Sequence, residues 1–386
     1  MPGNDSADTA QTPPDTRIPV TVLTGYLGAG KTTLLNHILS DDHGRHYAVI
    51  VNEFGEIGID NDLIVDTSEE LFEMNNGCVC CSVRGDLIRT LYHLLGTDRS
   101  RYDGILIETT GLADPGPVAQ TFLVDQTLLA QTRLDSIITV VDARHIDARL
   151  ADSREAVEQI AFADQILLNK TDLVTPSELT QIAKRIRKLN RLAPIHNTQW
   201  ASISLEKILE RNSFDLERIV KLEPDFLDPF QRESGYEHGS ERVLGTEYHG
   251  HGEHDDPHVS DAKTEGHTHT ADHHHDSDIC SISLTCRHPM EEGRLSDWLT
   301  SLVAGKGQDI LRAKGIIDIQ GQNARLVFQA VHMLLEGGYQ RTWQPSEDRY
   351  SRLVFIGRHL DSEQLKKNFE ACAAATSGVT PDSIRD

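Results

Sequence analysis

Short apolar runs rich in β-branched residues recur along the first half of the chain, near 19–24, 47–52, 104–108, 136–142 and 165–169, with a weaker one near 194–197. Stretches with helical spacing of apolar residues separate them, such as 33–39 and 82–95. Continuous apolar runs alternating with amphipathic helices predict an α/β domain over 18–222, with a mostly parallel sheet covered by helices on both faces. The pattern stops after about residue 222. Between 223 and 278 apolar residues are too scarce to bury a core, so that stretch is expected to be a disordered linker. Order returns near Ile279. Residues 280–286 alternate as a strand, and 290–302 are amphipathic. Residues 310–319 and 324–331 read as a strand pair joined through Gly321-Gln322-Asn323. Residues 351–358 read as another strand and 362–374 as another helix. These elements predict a smaller α+β domain over 279–386. The first 17 residues are polar and are expected to form a floppy tail.

The first strand runs directly into Gly25-Tyr26-Leu27-Gly28-Ala29-Gly30-Lys31-Thr32, followed by Thr33 and a helix. This order of strand, glycine-rich loop and helix is that of a phosphate-binding loop. Backbone N–H groups of Gly25, Gly28, Ala29 and Gly30 cradle phosphate oxygens, Lys31 reaches the β- and γ-phosphates, and Thr32 offers a hydroxyl to Mg²⁺. Glu108 closes the run Gly104-Ile105-Leu106-Ile107 and is the expected carboxylate on the magnesium side, with Gly111 near the γ-phosphate. Asn169-Lys170-Thr171-Asp172 follows the strand at 165–168. It has the NKxD form of GTPases, in which Asp172 accepts from two N–H groups on the guanine edge. Adenine lacks that pair, so ATP would leave the carboxylate unmatched.

Six cysteines in 386 residues, with a polar start that lacks the basic and apolar regions of a signal peptide, point to a reducing, cytoplasmic setting. Three of the six, Cys78, Cys80 and Cys81, fall within four positions just before the helical pattern at 82–95. A helix N-terminus lowers a thiol pKa, and thiolates bind soft metals. Three thiolates leave a fourth position open, which suits transfer better than permanent structure. A redox pair or buried thiols are the bland alternatives. Glu53, Glu56 and Asp60 lie where a GTPase has its first switch. Each could face Mg²⁺, the attacking water or a carried metal, or simply be surface. Cys280, Cys286 and Cys372 are expected to be packed thiols rather than ligands.

Ten of the chain's nineteen histidines lie between His238 and His275. His249, His251, His254, His267, His269, His273, His274 and His275 sit among acids and glycines, a composition that captures metal weakly in many geometries. A net charge of −23 argues against nucleic acid, whose phosphates attract Lys and Arg. The chain has no run of 18 apolar residues to cross a membrane.

The order of Gly25–Thr32, the 53–60 acidic segment, Gly77-Cys78-Val79-Cys80-Cys81, Glu108-Thr109-Thr110-Gly111 and Asn169–Asp172 resembles the CobW-type metallochaperone GTPases. That family of P-loop GTPases includes zinc chaperones, cobalamin-pathway proteins and nitrile hydratase activators. The resemblance covers roughly 18–205, and more loosely the run Arg312-Ala313-Lys314-Gly315 in the C-terminal domain. It implies slow GTP hydrolysis with Mg²⁺, metal loading at Cys78–Cys81 and delivery to a client metalloprotein. Zn²⁺ leads, with Co²⁺ and Fe²⁺ as alternatives. A nucleotide-regulated metal buffer or sensor, and a P-loop kinase with structural zinc, remain as other readings. The oligomeric state is left open, a homodimer included.

Overall fold

The computed structural model describes residues 15–52, 71–74, 81–96, 101–213, 279–345 and 347–374. Among these, the strands form two sheets. The N-terminal one has seven strands: β1 (Ile18–Thr24), β2 (Tyr47–Asn52), β3 (Leu71–Met74), β4 (Gly104–Glu108), β5 (Thr132–Asp142), β6 (Gln165–Asn169) and β7 (Ile195–Asn197). All pairings in it are parallel, in the order β3-β2-β4-β1-β5-β6-β7. The expected strands are all present, and β3 is an addition. It is a four-residue edge strand, too short to give a periodic signal.

Helices α1 (Lys31–Ser40), α2 (Cys81–Gly96), α3 (Pro115–Val124), α4 (Gln126–Gln131), α5 (Ile146–Asp152), α6 (Arg154–Phe162) and α7 (Pro176–Leu189) fill the crossovers. The parallel strands are buried on both faces, and β4 shows how. Ile105 and Ile107 join the core under α2, α3, α6 and α7, whereas Leu106 faces the core under α1 and the 205–209 segment. Alternate residues of one continuous apolar run therefore serve two cores.

The second sheet comprises β8 (Ile279–Cys286), β9 (Ile310–Ile317), β10 (Ala324–Val331), β11 (Leu334–Thr342) and β12 (Ser351–Arg358). It is antiparallel, in the order β11-β10-β9-β12-β8. Helices α8 (Glu292–Lys306) and α9 (Ser362–Ala371) cover one face, burying Leu295, Leu299, Leu365 and Phe369 with Ala313, Ile317 and Phe355. The other face, through Ile316, Val354 and Ile356, joins the core that runs beneath α6 and α7. The two sheets thus share apolar packing.

One ionic cluster sits in that shared core. Asp164, between α6 and β6, is fully buried. Its Oδ1 accepts from Arg312 Nη2 at 2.6 Å and Lys314 Nζ at 3.1 Å, and its Oδ2 accepts from the Ile137 N–H at 3.0 Å. Arg312 also donates to Phe162 O and Lys314 to Ser213 O. Burial pushes the Asp164 carboxyl upward, but the Arg312 and Lys314 charges outweigh it and hold the group below the usual range. No helix among the described residues is long and apolar enough to cross a membrane.

Candidate functional site

The carboxyl ends of β1, β4, β5, β6 and β7 gather the predicted nucleotide residues along one edge of the parallel sheet. Such an edge is where ligands bind in open α/β folds. The loop leaving β1 carries Gly25, Gly28 and Gly30, all with positive φ. Gly30 is the N-cap of α1 at φ 111°, and a Cβ there would stand 2.6 Å from Asn169 Nδ2. Only glycine fits this position, where the phosphate loop touches the loop after β6. Ala29 is buried and Thr33 exposed. Lys31, at the first position of α1, is buried and donates from Nζ to the carbonyls of Gly25 (2.9 Å) and Tyr26 (3.4 Å). Its charge therefore already points into the concave side of its own loop.

Thr32 Oγ1 donates to Glu108 Oε1 at 3.0 Å, and Glu108 is 5% exposed at the end of β4. A hydroxyl and a carboxylate at this spacing are hard oxygen donors of the kind Mg²⁺ selects, so the residues present fit that ion. After β4, Thr109 is fixed to β1 through its N–H to Leu23 O at 2.9 Å and its hydroxyl to Thr24 Oγ1 at 3.0 Å. Gly111 presses on the phosphate loop, and a Cβ there would lie 2.6 Å from the Leu27 side chain. Gln159 of α6 grips this segment from behind, its amide donating to Gly111 O and Ala113 O, each at 3.1 Å.

The loop after β6 is tied to the phosphate loop at two points. Asn169 Nδ2 donates to Ala29 O at 3.0 Å, and Lys170 Nζ donates to Gly28 O at 2.7 Å. Lys170 also pairs with Asp142 at the end of β5, at 2.8 Å. Burial raises the Asp142 carboxyl, yet its bonds to Lys170 and His145 prevail and keep it below the usual range. Asp172 lies in a 3₁₀ turn, Thr171–Leu173, and is exposed. Asn169 Oδ1 in turn accepts from the Ala201 N–H (2.8 Å) and Thr198 Oγ1 (3.2 Å). Beside the phosphate loop a cavity of about 270 Å³ is lined by Tyr26, Asp142, His145, Arg149, Gln159 and Lys170.

Sequence reasoning did not pick out Gln159, Asp142 or the 198–201 turn. Gln159 stands on a short helix, and nothing in the periodicity separates a buried amide that grips a loop from a surface one. The turn had a weak signal: it follows the last parallel strand, whose neighbour β6 carries the Asn169–Asp172 loop.

For the metal residues the description is partial. α2 begins at Cys81, so the predicted helix follows the cysteine motif directly. Cys78, Cys80, Glu53, Glu56 and Asp60 lie outside the described residues, as do His249, His251, His254, His267, His269, His273, His274 and His275. Among the described residues no three His, Cys, Asp or Glu side chains converge as a metal site. Cys280, Cys286 and Cys372 are free thiols. Burial pushes Cys280 and Cys372 upward, and Cys372 donates to Asn368 O at 3.2 Å, which suits packed thiols.

Comparison with known proteins agrees with this geometry. The CobW/HypB/UreG nucleotide-binding domain matches residues 19–197, and the cobalamin synthesis protein CobW C-terminal domain matches 279–373. The zinc chaperone YjiA of Escherichia coli is 34% identical over 355 residues, spanning 91% of this chain and 98% of that protein. The zinc chaperone CobW of Pseudomonas aeruginosa is 32% identical, over 93% of this chain and 92% of its own length. The zinc-regulated GTPase metalloprotein activator 1 of Schizosaccharomyces pombe reaches 41% over 214 residues, 53% of this chain and 52% of its own. The structure of Zn(II)-bound YjiA GTPase from E. coli superposes with a TM-score of 0.66 at 29% identity, covering 93% of this chain and 99% of that one. On its two sheets, the two family matches and the relatives YjiA and CobW matched over nearly their full length, the chain belongs to the CobW family, with a CobW/HypB/UreG nucleotide-binding domain followed by a CobW C-terminal domain.

Proposed function

We propose that the chain binds GTP with Mg²⁺, hydrolyses it slowly, and uses the cycle to load Zn²⁺ at Cys78, Cys80 and Cys81 and pass it to a client metalloprotein. The observation that carries the nucleotide half is the double tie of Asn169 and Lys170 to the phosphate loop, with the Asp172 carboxylate left exposed beside it. That arrangement supports reading Asp172 as the residue that selects guanine beside a phosphate cradle. Thr32 and Glu108 are the residues to hold Mg²⁺, which neutralises phosphate charge when bound. Lys31 exchanges its carbonyl partners for phosphate oxygens, and Gly111 takes the γ-phosphate side. Slow intrinsic turnover is what the resemblance to the CobW-type GTPases implies.

The metal half rests on the three clustered cysteines directly before α2 and on relatives named zinc chaperones and a zinc-regulated metalloprotein activator. Co²⁺ and Fe²⁺ satisfy the same thiolates less selectively. Tightly held zinc needs a change of geometry to leave, because structural sites bind with about 10–16 kcal/mol. The cysteines lie in sequence between the 53–60 segment and β4, so a nucleotide-dependent rearrangement there can supply the change. The 238–275 histidines serve as a weak capture reservoir that feeds this site.

Phosphate release with Mg²⁺ tests the nucleotide assignment. GTP should turn over at roughly 10⁻⁴ to 10⁻² s⁻¹, the range of unstimulated GTPases, with ATP at background. Asp172→Ala should erase the preference. Equal turnover of ATP would refute the guanine assignment.

A further inference from the structure

Trp200 is unexplained by the site as built. It follows β7 in a turn from Gln199 to Ser202, closed by the Ser202 N–H on Gln199 O at 3.0 Å. Its side chain is 81% exposed, more than any other large apolar side chain among the described residues. Both central residues of the turn, Trp200 and Ala201, lie at φ 54°. That left-handed pair is one Asn-Gly satisfies easily and Trp-Ala does not. An exposed indole and a strained backbone in the same turn both disfavour the folded chain. Such strain marks places where function holds a conformation.

The turn is nevertheless firmly anchored. Ala201 is fully buried, and its N–H reaches Asn169 Oδ1 at 2.8 Å. Thr198 O accepts from the Thr171 N–H at 3.2 Å and the Thr171 hydroxyl at 3.0 Å. The backbone of the turn is thus locked against the Asn169–Asp172 loop, while Trp200 itself is exposed to solvent.

We propose that the Trp200 indole stacks on the face of the purine base whose edge Asp172 reads. The proposal rests on the guanine reading above and adds a residue to that site. A stack is tolerant of base identity because every base has a π-face. Trp200 therefore supplies affinity while Asp172 selects the base. The strained turn holds the ring in place before the nucleotide arrives, which limits the entropy lost on binding.

The test is GDP binding to the full chain with Mg²⁺, by calorimetry and by tryptophan emission. Trp298 and Trp343 belong to the C-terminal part of the chain, so a signal from the base should be Trp200's. We expect GDP to change the emission of the parent protein. Trp200→Ala should raise Kd about tenfold and abolish the change, whereas Trp200→Phe should stay within about threefold of the parent. Trp200→Gly, which relieves the left-handed strain and so favours folding, should lose affinity as Trp200→Ala does. An unchanged Kd in Trp200→Ala and Trp200→Gly overturns the stack and leaves the guanine reading standing. A Trp200→Phe protein as weak as Trp200→Ala also overturns it, since the loss then belongs to the turn. If the parent binds no GDP, the guanine reading falls and the stack with it.

Discussion

His196 shows how one position sets a local pH response. It lies on β7, half-buried, with Nε2 2.8 Å from Gln165 Oε1 on β6. Burial, followed by the charges of Lys207, Arg211 and Arg187, pushes its pKa down to about 4. The ring is therefore neutral in the folded protein, with Nε2–H donating to the Gln165 carbonyl. In the unfolded chain its pKa returns to about 6.5. Below that value the unfolded state takes up a proton that the folded state refuses until about pH 4. The contribution to stability is complete above pH 6.5 and is lost as pH falls toward 4. His196→Gln keeps a donor for Gln165 but does not titrate. Urea midpoints at pH 7 and pH 5 should fall further in the parent than in the variant. The difference should be on the order of 1 kcal/mol, discounted for the half-open ring. Equal losses would show that His196 is not held neutral.

Among the elements, α6 and β9 show how the two sheets are joined. α6 presents Gln159 to the segment after β4 and Glu158 to Arg358 of β12, with Arg154 also on Glu158 at 2.7 Å. At its end, Asp164 meets Arg312 and Lys314 of β9. The expected strand at 310–319 is present as Ile310–Ile317, and two of its charged residues are buried. Arg312 and Lys314 alternate with Ala313 and Gly315, which reads as a strand with one polar, solvated face. That face is instead pressed against the first domain, and a carboxylate 148 residues away in sequence meets it. Pairing over such a distance leaves no periodic trace. Asp164→Asn keeps the shape of the side chain and removes its charge, leaving two cations in an apolar core. It should lower unfolding stability by about 3–5 kcal/mol, read from urea denaturation. A loss below about 1 kcal/mol would mean that the cluster is solvated and does little to hold the domains together.

For the whole molecule, the α/β architecture and the placement of the predicted nucleotide residues at strand ends were legible because both are written locally. Parallel strands give continuous apolar runs, and Gly25–Thr32, Glu108 and Asn169–Asp172 each stand at a strand end. β11 was not legible. Its side chains, Leu334 to Thr342, are mostly exposed at a sheet edge and include Gly337 and Gly338, so little hydrophobic alternation survives. Gln159 was missed because its hold on Gly111 and Ala113 depends on what the fold sets beside it. The sharing of a core between two sheets is likewise a property of the assembled chain. It seats the C-terminal sheet on α6, the helix whose Gln159 also holds Gly111.

The central claim is that nucleotide state and zinc affinity are linked, and linkage is reciprocal. The most direct test is Zn²⁺ affinity of the full chain by competition with a tight chelator, with and without Mg²⁺ and a non-hydrolysable GTP analogue. A protein carrying Cys78→Ser, Cys80→Ser and Cys81→Ser together, measured in parallel, accounts for zinc held by the histidines. The account predicts that the analogue tightens zinc binding by about tenfold or more, roughly 1.4 kcal/mol of coupling, and that the serine variant loses this gain. Zinc affinity that is the same with and without the analogue would contradict it, leaving a metal-binding protein whose nucleotide site does not govern its cargo.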